Sequence, residues 1–81
     1  MRFDGLEYEF TLASDVIRDG MVLQCEHVAA DGARTLVMEA FWHDPTGRFT
    51  FCSHATELPF GLVQAFVRAA AEACPPTRQF D

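Results

Sequence analysis

The amino-acid sequence predicts an α+β fold, in which a four-stranded antiparallel meander (order 1-2-3-4) is packed on one face by a single C-terminal helix. Turn signals separate runs in which apolar and polar residues alternate; they lie at Asp19-Gly20, Asp31-Gly32 and residues 44–47. Asp and Gly mark hairpins because they tolerate the positive φ of tight turns. After the last run, from Pro59 to Cys74, the apolar period changes from two residues to the spacing of a helix.

The turns also predict which residues face each other. The predicted strands run from Leu6 to Ile17, Met21 to Ala29, Arg34 to His43 and Arg48 to Ser53. Two-residue loops at the first two turns and a four-residue loop at the third would form the pairs Val16 with Leu23, Cys25 with Met38 and Trp42 with Phe49. Apolar residues then meet apolar residues, and a slip of one residue would exchange the two faces, so the pattern supports this register. A β-bulge is expected near residues 13–15 of the long first strand.

One face of the predicted sheet is apolar and should form the core. It collects Tyr8, Phe10, Leu12, Val16, Met21, Leu23, Cys25, Leu36, Met38, Trp42, Phe49 and Phe51. The predicted helix would pack on this inner face through one stripe, which contains Leu62, Val63, Phe66, Val67, Ala70 and Cys74. A helix is about 10 Å across, whereas four strands span roughly 15–19 Å, so one helix covers the sheet incompletely. The sequence therefore favours a homodimer.

Composition limits the class of protein. The chain has 81 residues, which predicts one β-β-β-β-α domain over residues 1–74 and a flexible tail over 75–81. A formal net charge of −6 argues against nucleic-acid binding. Three cysteines at irregular spacing are typical of free thiols in a reducing compartment. Because neither a leader segment nor a long apolar run is recognisable, the expected location is cytoplasmic, with no membrane contact.

The opposite, outer face is the predicted functional surface. It mixes apolar and acidic residues, and the predicted partner-binding residues are Asp15, Val22, Glu26, Val37, Glu39 and Phe41. Apolar anchors with a charged border are typical of an interaction surface. We therefore expect a small acidic, non-enzymatic protein-interaction module of the inhibitor, antitoxin or adaptor type, and a basic protein would be a suitable partner. The alternative is that β-branched and aromatic residues favour strands wherever they point.

Two chemical alternatives depend on cysteine and histidine. Cys25 with His27, and Cys52 with His54, have a strand spacing that suits zinc ligands, but the predicted register puts the two pairs on opposite faces. Cys52 and His54 could instead act with Glu26 as nucleophile, base and orienting acid, although the sequence shows no oxyanion-hole loop. The sequence therefore predicts no catalytic residue, no metal ligand and no cofactor.

Two binding alternatives stay open. A four-stranded sheet can bind single-stranded nucleic acid by stacking bases on aromatic side chains, here Phe41 and His43. The scarcity of arginine and lysine beside these residues weighs against it. The second alternative is a small ligand held in a pocket between the sheet and the helix, which core aromatics neither predict nor exclude.

Overall fold

The computed structural model describes residues 1–74 and shows the predicted α+β architecture, an antiparallel sheet followed by one C-terminal helix. The elements are β1 (Arg2–Phe3), β2 (Leu6–Asp15), β3 (Gly20–Val28), β4 (Arg34–His43), β5 (Arg48–Ser53) and α1 (Phe60–Ala73). In this described part of the chain, five strands are present rather than the predicted four, in the order β1-β2-β3-β4-β5. The predicted flexible tail, 75–81, lies outside the described residues.

The additional strand is β1, and it results from a turn signal of the same kind as the others. Asp4 and Gly5 have φ values of 52° and 79°, which is the positive-φ pair of a tight hairpin turn. Phe3 pairs with Leu6 across this turn. A two-residue strand is too short to show alternation, which explains why the sequence pattern did not reveal it.

The first predicted hairpin has the wrong register. Leu12, not Val16, lies opposite Leu23, and Val16 is an exposed loop residue rather than part of the core. The shift is four residues, an even number, so the remaining residues of β2 keep their predicted faces. Asp15 closes the wider loop, since its carboxylate accepts hydrogen bonds from the Arg18 backbone N–H at 3.0 Å and from the guanidinium at 2.6 Å.

Gly20 is the reason for this error. It belongs to β3 and not to the turn, because a Cβ at this position would collide with the backbone oxygen of Trp42. Asp19 alone supplies the positive φ of the loop, at 62°. The glycine is therefore required by the close approach of β4 and not by the hairpin.

The second hairpin confirms the predicted pairing of Cys25 with Met38, but its loop is longer than predicted and a bulge restores the register. Ala29 donates a backbone hydrogen bond to Ala33 at 2.8 Å, so the loop has three residues rather than two. A β-bulge in β4 then offsets the extra loop residue, because the register shifts between Cys25 and Glu26. The predicted bulge near residues 13–15 is absent, since β2 and β3 pair without interruption there.

The bulge changes the roles of two residues. Val37 has no partner in the ladder and is buried in the core cluster, although it was predicted on the outer face. Leu36 lies opposite Glu26, so its predicted place on the inner face is wrong. On the N-terminal side of the bulge, residues 34–36 of β4 lie on the face opposite to the one predicted, whereas residues 38–43 keep their predicted faces.

The third hairpin is as predicted. Trp42 pairs with Phe49, and their rings meet edge to face with centroids 5.7 Å apart. Gly47, at φ 70°, donates its N–H to the His43 carbonyl at 2.7 Å and closes the four-residue loop. This hairpin places the aromatic residues of β5 on the inner face.

Helix α1 packs on the inner face through its buried residues, Leu62, Phe66 and Ala70. Phe66 is fully buried between Phe10 and Phe51, with ring centroids at 5.3 and 6.2 Å. Pro59 occupies the N-cap position, so its missing N–H costs no helical hydrogen bond. Within residues 1–74, no helix is long and apolar enough to cross a membrane.

Removal of the Phe66 ring should be the most damaging single change in the core. We expect Phe66→Ala to lower the free energy of unfolding by about 3–5 kcal/mol and Phe66→Leu by about 1–1.5 kcal/mol. Urea unfolding monitored by circular dichroism measures both. Arg68→Ala, on the exposed side of α1, should change stability by less than about 0.5 kcal/mol. Equal losses at positions 66 and 68 would contradict this packing.

Candidate functional site

The apolar anchors predicted on the outer face are largely covered, and one of them, Val37, belongs to the core cluster. Val22 and Val37 are only 5% and 7% exposed. Phe41 is half-buried, and the Arg18 guanidinium lies over its ring at 4.2 Å from the centroid. This cation–π contact occupies the aromatic face that a partner would otherwise contact. The three predicted anchors therefore offer little free apolar surface.

The predicted acidic border is paired with arginine. Arg18 bonds Asp15 at 2.6 Å and lies 3.8 Å from Glu39, while Arg34 bonds Glu26 at 3.1 Å. The backbone N–H and the guanidinium of Arg18 lower the pKa of Asp15, which keeps that carboxyl ionised. Because these three carboxylates already have cationic neighbours, they attract a basic partner less than their number suggests.

One end of the outer face carries a shallow basic depression of about 580 Å³. It is lined by Arg18, Phe41, His43, Thr46, Arg48 and Thr50. These are the residue types that the nucleic-acid alternative requires. However, the Arg18 guanidinium is engaged by Asp15 and by the Phe41 ring, so it is poorly placed to track a phosphate backbone.

A different apolar surface lies on the inner face, between α1 and β5. We call it the inner groove, and it is lined by Ala40, Phe49, Thr50, Phe51, Phe66, Val67, Ala70 and Ala71. Phe51 and Val67 are each 54% exposed and Phe49 is 43% exposed, although both phenylalanines and Val67 were predicted to pack in the core. None of the lining residues is ionisable. The groove measures about 200 Å³, less than the roughly 300–1,000 Å³ of small-molecule sites.

A cluster of three side chains of metal-binding type lies on the outer face: Glu39 of β4, Cys52 of β5 and His54 just after β5. Glu39 lies directly opposite Cys52 in the ladder, and its Oε2 is 3.0 Å from the His54 Nε2. The three donor atoms lie within 4.8 Å of one another. Cys52 and His54 are exposed, and Glu39 is partly buried. We call this group the Glu-Cys-His cluster.

The position of this cluster bears on both chemical alternatives, the catalytic arrangement with Glu26 and the Cys2His2 zinc site. The acid beside His54 is Glu39 and not Glu26, which bonds Arg34 on a neighbouring part of the face. Cys25 is fully buried while Cys52 is exposed, so these two cysteines do not meet in a Cys2His2 site. The predicted pairing of Trp42 with Phe49, continued along the two strands, already sets Glu39 opposite Cys52, but Glu39 was predicted only as part of the charged border.

Comparisons with protein-family models, curated proteins and solved structures find no match for this chain. Its function is therefore inferred from its own residues.

Thiol chemistry should distinguish the three cysteines. Burial raises the pKa of Cys25 to about 11 and also raises that of Cys74, so both stay protonated and protected near neutral pH. Cys52 is exposed. We expect a thiol reagent to label one cysteine per chain rapidly in the native protein, and Cys52→Ser to remove that reaction. Rapid labelling that survives Cys52→Ser would contradict the placement of these residues.

Proposed function

We propose that this protein is a small, non-enzymatic protein-interaction module that acts as a homodimer through the inner groove. The observation that supports the proposal is an exposed apolar groove, free of ionisable residues, that runs beside an edge strand. Phe49, Phe51 and Val67 give it aromatic and aliphatic surface of the kind found at the centre of protein interfaces. A contiguous apolar surface of this kind is typical of an interaction site.

The proposed occupant of the groove is a second copy of the chain. Among residues 1–74, β5 pairs only with β4, so its other edge keeps unpaired backbone groups. An edge strand can pair antiparallel with itself around a two-fold axis, and the two sheets then become one. The same axis would bring Val67 of each α1 over the aromatic residues of the groove.

Charge also favours a second copy over a basic partner. The groove contains no carboxylate to attract a cation, although the chain as a whole has a net charge of −6. Two copies repel each other through this net charge, but the repulsion is screened over about 10 Å at 0.1 M salt. An uncharged contact surface therefore suits self-association.

The size of the groove suggests a moderate affinity. Phe49 and Phe51 leave roughly 200 Å² exposed per chain, from their exposed fractions and the area of a phenylalanine. Burial of this surface in both copies would stabilise a dimer by about 10 kcal/mol. Association costs roughly 4–15 kcal/mol, so backbone pairing along β5 is needed for a stable dimer. A micromolar Kd corresponds to about 8 kcal/mol and would therefore require this pairing to contribute at least about 2 kcal/mol.

The predicted outer-face site is a less suitable docking surface than the inner groove. Its apolar anchors Val22 and Val37 are buried, and its carboxylates are paired with arginine. A protein partner that binds the outer face would have to displace Arg18 from Phe41. Of the two faces, the inner groove therefore offers the larger free apolar surface.

A charge placed in the groove should dissociate the dimer. We expect Phe51→Asp to weaken dimerisation at least about 100-fold, because an unpaired carboxylate is costly to bury. Sedimentation equilibrium over a wide concentration range measures the Kd. Val67→Glu, on exposed helix surface, should weaken dimerisation in the same way without loss of folding, which circular dichroism monitors.

The matched control is Thr11→Asp, which adds the same charge to an exposed residue of β2 on the outer face, away from the groove. It should leave dimerisation within a few-fold of the original value. A chain that is monomeric at all concentrations would overturn the proposal, and so would a dimer that resists both Phe51→Asp and Val67→Glu.

A further inference from the structure

We propose that the Glu-Cys-His cluster is a binding site for a divalent transition metal, with zinc as the best-fitting ion. Glu39, Cys52 and His54 supply one carboxylate oxygen, one sulfur and one imidazole nitrogen. Zinc binds this mixture of donors, whereas magnesium and calcium take oxygen ligands almost entirely. This inference is independent of the proposed dimer, because the cluster and the inner groove lie on opposite faces of the sheet.

The backbone holds the three ligands in a defined arrangement. Cys52 and His54 are two residues apart in extended chain, so both side chains project from the outer face. The His54 N–H donates to the Val37 carbonyl at 2.9 Å, which continues the ladder past the end of β5. Glu39 belongs to β4 and pairs with Cys52. Sites built on paired strands need less reorganisation than sites built on loops.

The distances suit a metal after small side-chain movements. Ligand atoms around tetrahedral zinc lie roughly 3.3–3.6 Å apart, given zinc–ligand bonds of about 2.0–2.3 Å. Glu39 and His54 are already at 3.0 Å, and no pair in the cluster exceeds 4.8 Å. Rotation of the exposed Cys52 and His54 side chains can therefore close the remaining gap of about 1 Å.

The chemistry of binding follows from the donor set. The Cys52 thiol would lose its proton to solvent as the sulfur–metal bond forms. The hydrogen bond to Glu39 places a proton on the His54 Nε2, and this proton would be exchanged through solvent for one on Nδ1, so that Nε2 binds the metal as a neutral imidazole. Thiolate and carboxylate together balance the charge of a divalent ion. With three protein ligands and two exposed residues, the fourth position would hold water, which is the open coordination of zinc sites that are not purely structural.

One nearby cation competes with the metal. The Arg18 Nη2 lies 3.8 Å from the Glu39 Oε1, while the other carboxylate oxygen, Oε2, faces His54. Glu39 can therefore ligate through Oε2 and keep its contact with Arg18. The arginine also bonds Asp15, so its place does not depend on Glu39 alone.

The test is a titration of the reduced, metal-free protein with Zn²⁺ in competition with a chromophoric chelator. We expect one ion per chain. Cys52→Ser and His54→Gln should each weaken binding at least about 100-fold, and Glu39→Gln about 10-fold or more, as for the loss of a ligand. Substitution with Co²⁺ should give a thiolate-to-cobalt charge-transfer band that disappears in Cys52→Ser.

The matched controls are His43→Gln, a partly buried histidine on the same face, and Ser53→Ala, which lies between Cys52 and His54 and points to the other face. Both should bind Zn²⁺ as the original chain does, as should Phe51→Asp, the variant designed to disrupt the dimer. Absence of binding, or binding that survives Cys52→Ser and His54→Gln, would overturn the proposal. Loss of binding in His43→Gln alone would likewise overturn it.

Discussion

The fold depends on the packing of one short helix against a sheet wider than itself. Helix α1 has 14 residues and buries one line of side chains, Leu62, Phe66 and Ala70, against the sheet. Phe66 reaches from Phe10 on β2 to Phe51 on β5, so a single ring links both sides of the inner face. A helix about 10 Å across cannot also cover the outer flank of β5, because five strands span roughly 19–24 Å. Within residues 1–74, the inner groove is a part of the sheet that the helix leaves uncovered.

The two faces of the sheet consequently have different chemistry. On the inner face, the uncovered residues are apolar and uncharged, which suits contact with another apolar surface. On the outer face, Arg18 and Arg34 each bond carboxylates from separate parts of the chain. Exposed ion pairs contribute little stability individually, but here they reduce the free charge and cover Phe41. The Glu-Cys-His cluster lies at the β5 side of this face, where exposed ligands are accessible to an ion.

The sequence predicted the fold class and the third hairpin because short-range turn chemistry controls both. Sequence-based prediction was wrong about strand register where contacts between distant parts of the chain determine it. Gly20 looked like a turn residue but is required by the approach of the Trp42 backbone, which moved the register of β2 by four residues. The loop between β3 and β4 has three residues, and the bulge that buries Val37 compensates for the extra residue in the strand register. No local sequence pattern distinguishes this loop from a two-residue loop. The register of the third hairpin predicts that Glu39 lies opposite Cys52. The burial of Val22 and the stacking of Arg18 on Phe41 depend on side-chain packing, which the sequence pattern does not show.

The central claim is that the uncovered flank of β5 and α1 is a contact surface for a second copy. Backbone amide hydrogen exchange at low and high protein concentration tests it most directly, since it reports on each strand separately. If copies pair through this flank, amides of β5 should exchange more slowly at high concentration, while those of β1, the other edge strand, should not change. Exchange in β5 that is independent of concentration would contradict the claim, and so would concentration-dependent protection confined to β1.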